Sequence, residues 1–356
     1  MKKPRVLCAM SGGVDSSVAA YLLKEAGYDV VGMTMKTWSA DGGSANRSCC
    51  GIDDVDDARR IAAQLDIPYI ALDMEDVFRE TVIDNFQSEY LKGRTPNPCI
   101  VCNYKLKFGY LLQKADEIEA QFVATGHYAK IVQQEDRLAV LSCDHEKDQS
   151  YVLYNLSQEQ LSRIMFPLSD FDKDKIRDMA WEQKLTRVAA KPDSVEICFV
   201  KDDYRNFLKS TVEQELKPGE FIDKDGKVLG TNDGIAMYTV GQRKGLGINL
   251  NEKTYVTEIV PDKNQVRLGR RQDLFRKEMR VAKVNWMAKA PTTEQFEAQV
   301  KIRYQHEPVR CFVAPQTDGT LKVEFSKAQE QVAPGQSAVF YDQGVVLLGG
   351  LIDSCS

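Results

Sequence analysis

Seven residues near the start of the chain, Ser11-Gly12-Gly13-Val14-Asp15-Ser16-Ser17, combine the types needed to hold an anion. Paired glycines let the backbone come close to a ligand and turn its N–H groups toward it. The hydroxyls of Ser11, Ser16 and Ser17 add donors, and a helix starting here adds the positive end of its dipole. Phosphate or pyrophosphate is the fitting ligand. No Lys follows the glycines, so this is not the loop whose Lys reaches the β- and γ-phosphates. Asp15 would repel a bare anion and is expected to act through Mg²⁺. A plain Ser/Gly helix cap is the bland alternative.

Cysteines form the second chemical group. Nine are present, against three scattered histidines, His127, His145 and His306. No apolar run reaches about 18 residues, and the N-terminus lacks a signal-peptide core. The chain is therefore expected to be soluble and cytoplasmic, away from membranes. Stable disulfides are rare in that compartment, which leaves the thiols as buried fillers, catalysts or cluster ligands. Scattered histidines make a His-built zinc site unexpected. Cys102 follows the Pro-rich stretch Thr95-Pro96-Asn97-Pro98 and precedes a helix expected from Lys107 to Glu117. Nearby Lys105 and Lys107 and that helix dipole would lower its pKa. Cys198 lies in a loop after Asp193-Ser194, and Cys99 with Cys102 makes a Cys-x-x-Cys pair. Cys49 and Cys50 close a Gly/Ser/Asn-rich stretch and read as loop cysteines.

Elements that must position these residues follow from periodicity. Apolar runs at Val6–Met10, Val30–Met35, Pro68–Asp73 and Phe122–Tyr128, the last carrying Gly126-His127 at its end, read as strands. Helical patterns between them cover Ser17–Lys24, Asp53–Leu65 and Asp76–Leu91. The order β-α-β-α-β-α-α-β is that of a doubly wound parallel sheet, where ligands bind at the carboxyl ends of strands. The Ser11 loop, the segment after Met35 and the Gly126-His127 pair all fall at such ends. Further helices are expected around Gln158–Met165 and over Lys173–Lys184. From about residue 205 helical periodicity fades, and short β runs with turn residues between them take over. Asp223–Gly226 and Pro261–Asn264 read as hairpin turns. Six runs from Val281 to Leu351 suggest a small closed barrel. The 356 residues, 43% hydrophobic and 28% charged, fit a globular chain of two or three domains. Boundaries are expected near 204 and 275, giving 1–204, 205–275 and 276–356. A net charge of −5 does not itself indicate a nucleic-acid binder, although Arg243, Lys244, Lys263, Arg267, Arg270, Arg271, Arg276, Lys277 and Arg280 concentrate basic charge in one stretch.

The Ser11–Ser17 loop resembles that of the ATP pyrophosphatases, which split ATP between its α- and β-phosphates. Six further motifs extend the resemblance along the chain: Thr95–Pro98 with Cys102-Asn103, Ala124–Tyr128, Lys147–Tyr151, Asp193-Ser194 with Ile197–Phe199, Gly241–Gly247 and Pro334–Ala338. Together they are similar to the tRNA-specific 2-thiouridylases, enzymes that place sulfur on C2 of the wobble uridine, position 34. This resemblance implies an ATP pyrophosphatase domain, a small β-rich central domain that contacts tRNA, and a C-terminal β-barrel. It implies that Ala9, Met10, Ser11, Gly12, Gly13, Val14, Asp15, Ser16, Met35 and Gly126 hold ATP. Asn97, Pro98 and Cys99 would contact the target base. Cys102 would be the nucleophile and Cys198 the persulfide carrier. His127, Lys147, Asp148, Gln149, Arg303, Tyr304 and Gln336 would touch tRNA at its anticodon loop. Sulfur would come from a cysteine desulfurase, a relay protein or sulfide.

Many members of that family carry Asp where this chain has Cys99. Three thiols, Cys99, Cys102 and Cys198, therefore leave open a [4Fe–4S] cluster delivering sulfide in place of the persulfide route. Two rivals share fewer features. A tRNA-modifying or amidotransferase-type ligase would use the Ser11 loop without needing Cys102 and Cys198. A nucleotide-binding redox sensor would use the thiols without needing the strand-end ATP residues.

Overall fold

A computed structural model describes residues 3–37, 52–192, 197–200, 202–248 and 252–356. Cys49, Cys50, Asp193 and Ser194 lie outside the described residues. The chain forms two compact units. One comprises residues 1–82, 99–201 and 344–346, and the other 83–98, 202–343 and 347–356.

The first unit is built on a parallel sheet. β1 (Arg5–Ala9) leads through the Ser11 loop into helix α1 (Val14–Glu25), then β2 (Asp29–Lys36), helix α2 (Ile52–Gln64), β3 (Tyr69–Asp73) and, later, β4 (Phe122–Ala124). β1 lies between β2 and β4 and pairs with both in parallel, Cys8 opposite Gly32 on one side and Ala124 on the other. Central strands are covered on both faces, which is why Val6, Leu7 and Cys8 read as an unbroken apolar run and are fully buried. α1 follows the same logic: Val18, Ala19, Ala20 and Leu23 face one core shared with Ile61, Ala62, Ile176 and Ala180. Chain direction across the sheet reverses at β1, so the gap between the ends of β1 and β4 is the switch point where ligands bind.

Several local expectations change. Helix begins at Pro98, not Lys107, and runs through π-helical turns at Cys102–Tyr110 into Leu111–Glu117. Proline suits a first helical position because its missing N–H would be unpaired there. Cys102 therefore sits a turn inside the helix rather than ahead of it, where the dipole argument weakens. The helix at Gln158 stops at Ser162, and Ile164–Met165 is a short strand (β7) extending the sheet beside β4. β5 (Lys130–Gln134) and β6 (Arg137–Leu141) pair as an antiparallel hairpin.

In the second unit, Tyr204–Val212 is helical where only β structure was expected. Asp203 caps it by accepting from the Arg205 N–H at 2.9 Å. Tyr204 stacks on Tyr90 with centroids 4.5 Å apart, and Phe207 meets Phe86 edge-on at 6.1 Å. Next come β8 (Gly219–Ile222), β9 (Val228–Asn232), β10 (Tyr255–Val260) and β11 (Gln265–Gly269), in the order β10-β11-β8-β9. Both expected hairpins are present.

The six-stranded barrel forms as expected. It comprises β12 (Phe275–Trp286), β13 (Phe296–Lys301), β14 (Val309–Pro315), β15 (Leu321–Glu330), β16 (Ser337–Asp342) and β17 (Val345–Cys355). They run in the order β12-β15-β14-β13-β16-β17, and β17 pairs back to β12, which leaves no open edge. Alternation along β15 sends Leu321, Val323 and Phe325 inward to meet Val300, Val313 and Phe340.

Candidate active site

The Ser11 loop leaves the end of β1 with its shape fixed by its own donors. The Ser11 N–H donates to Ser16 Oγ at 3.0 Å, and Ser16 and Ser17 hydroxyls donate back to the Gly13 carbonyl at 3.2 and 2.8 Å. Gly13 caps α1 without help from a side chain, so no side chain of its own covers the helix entrance. Gly12 has φ +70°, and a Cβ there would stand 2.8 Å from the Asp54 Cα. Glycine at position 12 is thus required by geometry, whereas a Cβ at Gly13 would meet only Ser11 Oγ at 3.5 Å. Ala9 and Met10 end β1, and Met10 is clasped to β2: its N–H reaches the Met33 carbonyl at 2.8 Å and its carbonyl takes the Thr34 hydroxyl at 2.5 Å. Val14 and Met35 are buried beneath this end of the sheet.

Gly126 comes from the end of β4 and lies against the loop. A Cβ at this position would be 2.8 Å from both the Asp15 carbonyl carbon and the Ser16 nitrogen. The neighbouring strand end therefore meets the loop backbone to backbone. Ser11, Gly12, Gly13, Asp15, Ser16 and Gly126 are brought together at this end of the sheet.

Asp15 departs from the role expected of it. Lys173 Nζ donates to both of its carboxylate oxygens at 2.7 Å, and the Tyr128 hydroxyl donates to Oδ1 at 2.6 Å. A carboxylate committed to an ammonium in this way does not fit as a Mg²⁺ ligand. Tyr128 closes the Ala124–Tyr128 motif and Lys173 opens an expected helix, but their pairing with Asp15 arises only through the tertiary fold. A second lysine, Lys191, donates to the Gly12 carbonyl at 3.2 Å and pairs with Asp54 and Asp57.

The cysteines separate by environment. Burial pushes Cys8 and Cys311 up to about 12 and Cys143 up to about 11, and raises Cys355. These four are fillers. Cys99 is exposed, whereas Cys102 and Cys198 are partly buried, and none of the three is in a disulfide. Phe199, next to Cys198, packs edge-on against Phe78 at 5.7 Å. Among the described residues no three His, Cys, Asp or Glu side chains are grouped to hold a metal, so the cluster left open as an alternative on Cys99, Cys102 and Cys198 is not supported by this arrangement.

Residues expected at the tRNA scatter in their placement. His127 is in the core, between Phe108 and Phe166, with Nδ1 2.7 Å from the Thr125 hydroxyl. Burial holds its pKa well below the ordinary value, and the Lys107 charge lowers it further. A neutral, enclosed ring presents no charge to a phosphate. Asp148 accepts from the Cys143 and Ser150 N–H groups at 3.0 and 3.2 Å, and Gln149 exchanges hydrogen bonds with the Tyr128 backbone at 2.9 and 3.0 Å. Both shape their loop, while Lys147 is exposed.

In the second unit, Arg303 donates to Gln331 at 3.0 Å and Tyr304 is exposed. Gln336 donates to the Thr95 carbonyl at 3.1 Å, and the Thr95 N–H donates to the Pro334 carbonyl at 2.8 Å. The backbone just before Asn97 and Pro98 is thereby strapped to the barrel. Much of the basic stretch is already paired: Arg267 with Glu258, Arg270 with Glu252, Arg271 with Glu330 and Arg280 with Asp318. Those pairs leave less basic charge than the sequence tally implies.

Comparison with known proteins places the chain. Residues 4–202 match the tRNA methyl transferase HUP domain family, 205–270 its PRC-barrel domain and 276–352 an aminomethyltransferase beta-barrel domain. A tRNA-specific 2-thiouridylase MnmA from Clostridium perfringens is 47% identical over 358 residues, 99% of both chains. Its counterpart from Clostridium beijerinckii is also 47% identical, over 356 residues and 99% of both chains. Among solved structures, a 4-thiouridine synthetase–RNA complex with bound ATP covers 60% of this chain and 50% of its own, at 18% identity and a TM-score of 0.37, too distant a likeness to argue from. At that level of identity over almost their whole length, the chain belongs to the tRNA-specific 2-thiouridylase (MnmA) family.

Proposed function

We propose that the chain is an ATP-dependent tRNA 2-sulfurtransferase acting on the wobble uridine, with residues 1–204 as the ATP pyrophosphatase domain, 205–275 as a tRNA-contacting domain and 276–356 as the barrel. The observation that carries the reading is the Ser11 loop with Gly126 set against it, an anion cradle at the sheet's switch point. Two of the matching family models carry methyl-transferase names. A loop built for pyrophosphate and the two partly buried thiols favour thiolation instead.

The C2 oxygen of uracil is a poor leaving group. Its attack on the α-phosphorus of ATP breaks the α–β bond, releases diphosphate and leaves C2 bearing an adenylate. Donors of the Ser11 loop stabilise the charge that builds on the departing diphosphate. The terminal sulfur of a Cys198 persulfide then bonds to C2, and AMP departs. Cys102 thiolate next attacks the Cys198 sulfur, freeing 2-thiouridine and forming a Cys102–Cys198 disulfide that an external thiol reduces. A single-stranded loop lets the base leave its stack at a cost of about a few kcal/mol. Asn97, Pro98 and Cys99 are assigned to the base, and Lys147, Arg303 and Tyr304 to tRNA. His127, Asp148, Gln149 and Gln336 are assigned to shaping the elements that meet it. The sulfur donor for this route is a desulfurase or a relay protein whose own persulfide passes its outer sulfur to Cys198.

Diphosphate release and thiolated tRNA, measured with ATP, unmodified tRNA and a sulfur source, test the scheme. Cys102→Ser should keep tRNA-dependent diphosphate release and lose thiolation at least a hundredfold. Thiolation by Cys102→Ser at the wild-type rate would remove Cys102 from the reaction.

A further inference from the structure

The Ser11 loop has no lysine of its own, yet two lysines distant in sequence reach it. Lys191 is already committed. Its ammonium meets two carboxylates, Asp54 and Asp57, besides the Gly12 carbonyl, and Asp57 also takes Arg187 at 2.6 Å. That cluster holds the loop to α2 and carries no surplus positive charge.

Lys173 is placed differently. It is the first residue of the helix Lys173–Glu182, whose N-terminus is capped by Asp172. Its side chain is only 13% exposed. Its ammonium donates to both oxygens of the Asp15 carboxylate at 2.7 Å each, and it lies 5.9 Å from the centre of the Tyr128 ring. Tyr128, itself buried, donates its hydroxyl to the same carboxylate. Asp15 is the second residue of α1, at the helix end where an incoming phosphate meets the loop donors. An uncompensated carboxylate there would oppose the dipole that makes the loop an anion site.

We infer that Lys173 is a positioning residue of the ATP site: with Tyr128 it neutralises and fixes Asp15, leaving the loop's N–H and hydroxyl donors unopposed for the phosphates. Asp15 then serves to anchor Lys173, in place of the metal contact its position in the motif suggests. This inference rests on the reading of the loop as an ATP site.

ATP affinity of the full chain, measured by calorimetry with and without Mg²⁺, tests it, with thermal unfolding of each variant alongside. Lys173→Met should weaken ATP binding roughly tenfold to a hundredfold, the scale of one unscreened charge a few ångströms from a phosphate. Lys173→Arg, which keeps the charge, should stay within about fivefold of wild type. The decisive variant is Lys173→Met combined with Asp15→Asn: with the repelling charge gone, affinity should return to within about threefold of wild type. Asp15→Asn alone should bind ATP at least as tightly as wild type. The inference is overturned if Lys173→Met binds ATP normally, if the double variant is as weak as Lys173→Met, or if Asp15→Asn abolishes Mg²⁺-dependent binding. A lower unfolding temperature with unchanged affinity would reduce Lys173 to a structural strut. Wild type that binds no ATP would instead overturn the reading of the loop itself, and the inference with it.

Discussion

Replacing Gly126 with Ala adds one methyl group where the chain after β4 meets the first turn of α1. That carbon would stand 2.8 Å from the Asp15 carbonyl carbon, 2.8 Å from the Ser16 nitrogen and 3.1 Å from the Asp15 Cβ. Comfortable non-bonded separations are about 3.5–4.0 Å, so the new atom is roughly 0.7 Å too near. Two of the three neighbours are backbone, which cannot rotate away. Either the turn after β4 moves outward or the first turn of α1 is displaced. Overpacking of this kind costs about 1–3 kcal/mol. The displaced atoms belong to the loop, so the loss should appear in ATP affinity, as a rise in Kd of roughly ten- to a hundredfold. Calorimetry of ATP binding reads it, and urea unfolding reads the stability cost. Gly226→Ala is the control: a Cβ there meets nothing within 4 Å, although its φ of +86° strains any replacement. It should lose stability and keep ATP affinity. Gly126→Ala protein that binds ATP within twofold of wild type would refute the close approach as a feature of the site.

Two other perturbations follow from the packing. His127 is neutral in the folded chain because burial lowers its pKa well below the ordinary value. Below about pH 6.5 the unfolded chain binds a proton that the folded one does not, so stability falls as pH drops from there toward the folded pKa. Unfolding by urea at pH 7, 6 and 5 should show this slope reduced in His127→Gln, by up to about 1.4 kcal/mol per pH unit; an unchanged slope would contradict it. Gly335→Ala places a Cβ 2.7 Å from the Thr95 nitrogen at φ +93°. It should cost about 1–3 kcal/mol and slow thiolation with ATP affinity unaltered, which diphosphate release and urea unfolding separate.

The parallel sheet and the barrel were readable because their patterns are redundant. β1 over Val6–Ala9 and β2 over Val30–Met33 are unbroken apolar runs, as strands covered on two faces must be, and β15 alternates cleanly over Leu321–Phe325. The helix at Tyr204–Val212 was readable too, from Asp203 as a cap and from Tyr204, Phe207, Leu208 and Val212 on one face. Surrounding β signals masked it. Ile164–Met165 is too short to carry a period at all. At the candidate site, the glycines and serines announced themselves because their chemistry is local. Lys173 did not, since its partner Asp15 is 158 positions earlier and no local pattern marks a lysine at a helix start as an ammonium for a distant loop. His127 misled in the opposite direction. A Gly-His pair at a strand end has the look of a site, but Phe108 and Phe166, distant in sequence, enclose the ring.

The strap at Arg94–Pro96 bears on how the chain is made. Arg94 donates to the Ile352 carbonyl at 3.1 Å, Thr95 to Pro334, and Gln336 reaches back across 241 positions to the Thr95 carbonyl. During vectorial synthesis at about 5–20 residues per second, Thr95 leaves the ribosome roughly 12–48 seconds ahead of these partners. For that interval the segment beside Cys99 and Cys102 has no anchor in the barrel. Its geometry is set last, when the final strands emerge and close. The proposed target-base contacts are therefore a product of completed translation, although their residues are among the first hundred to be made.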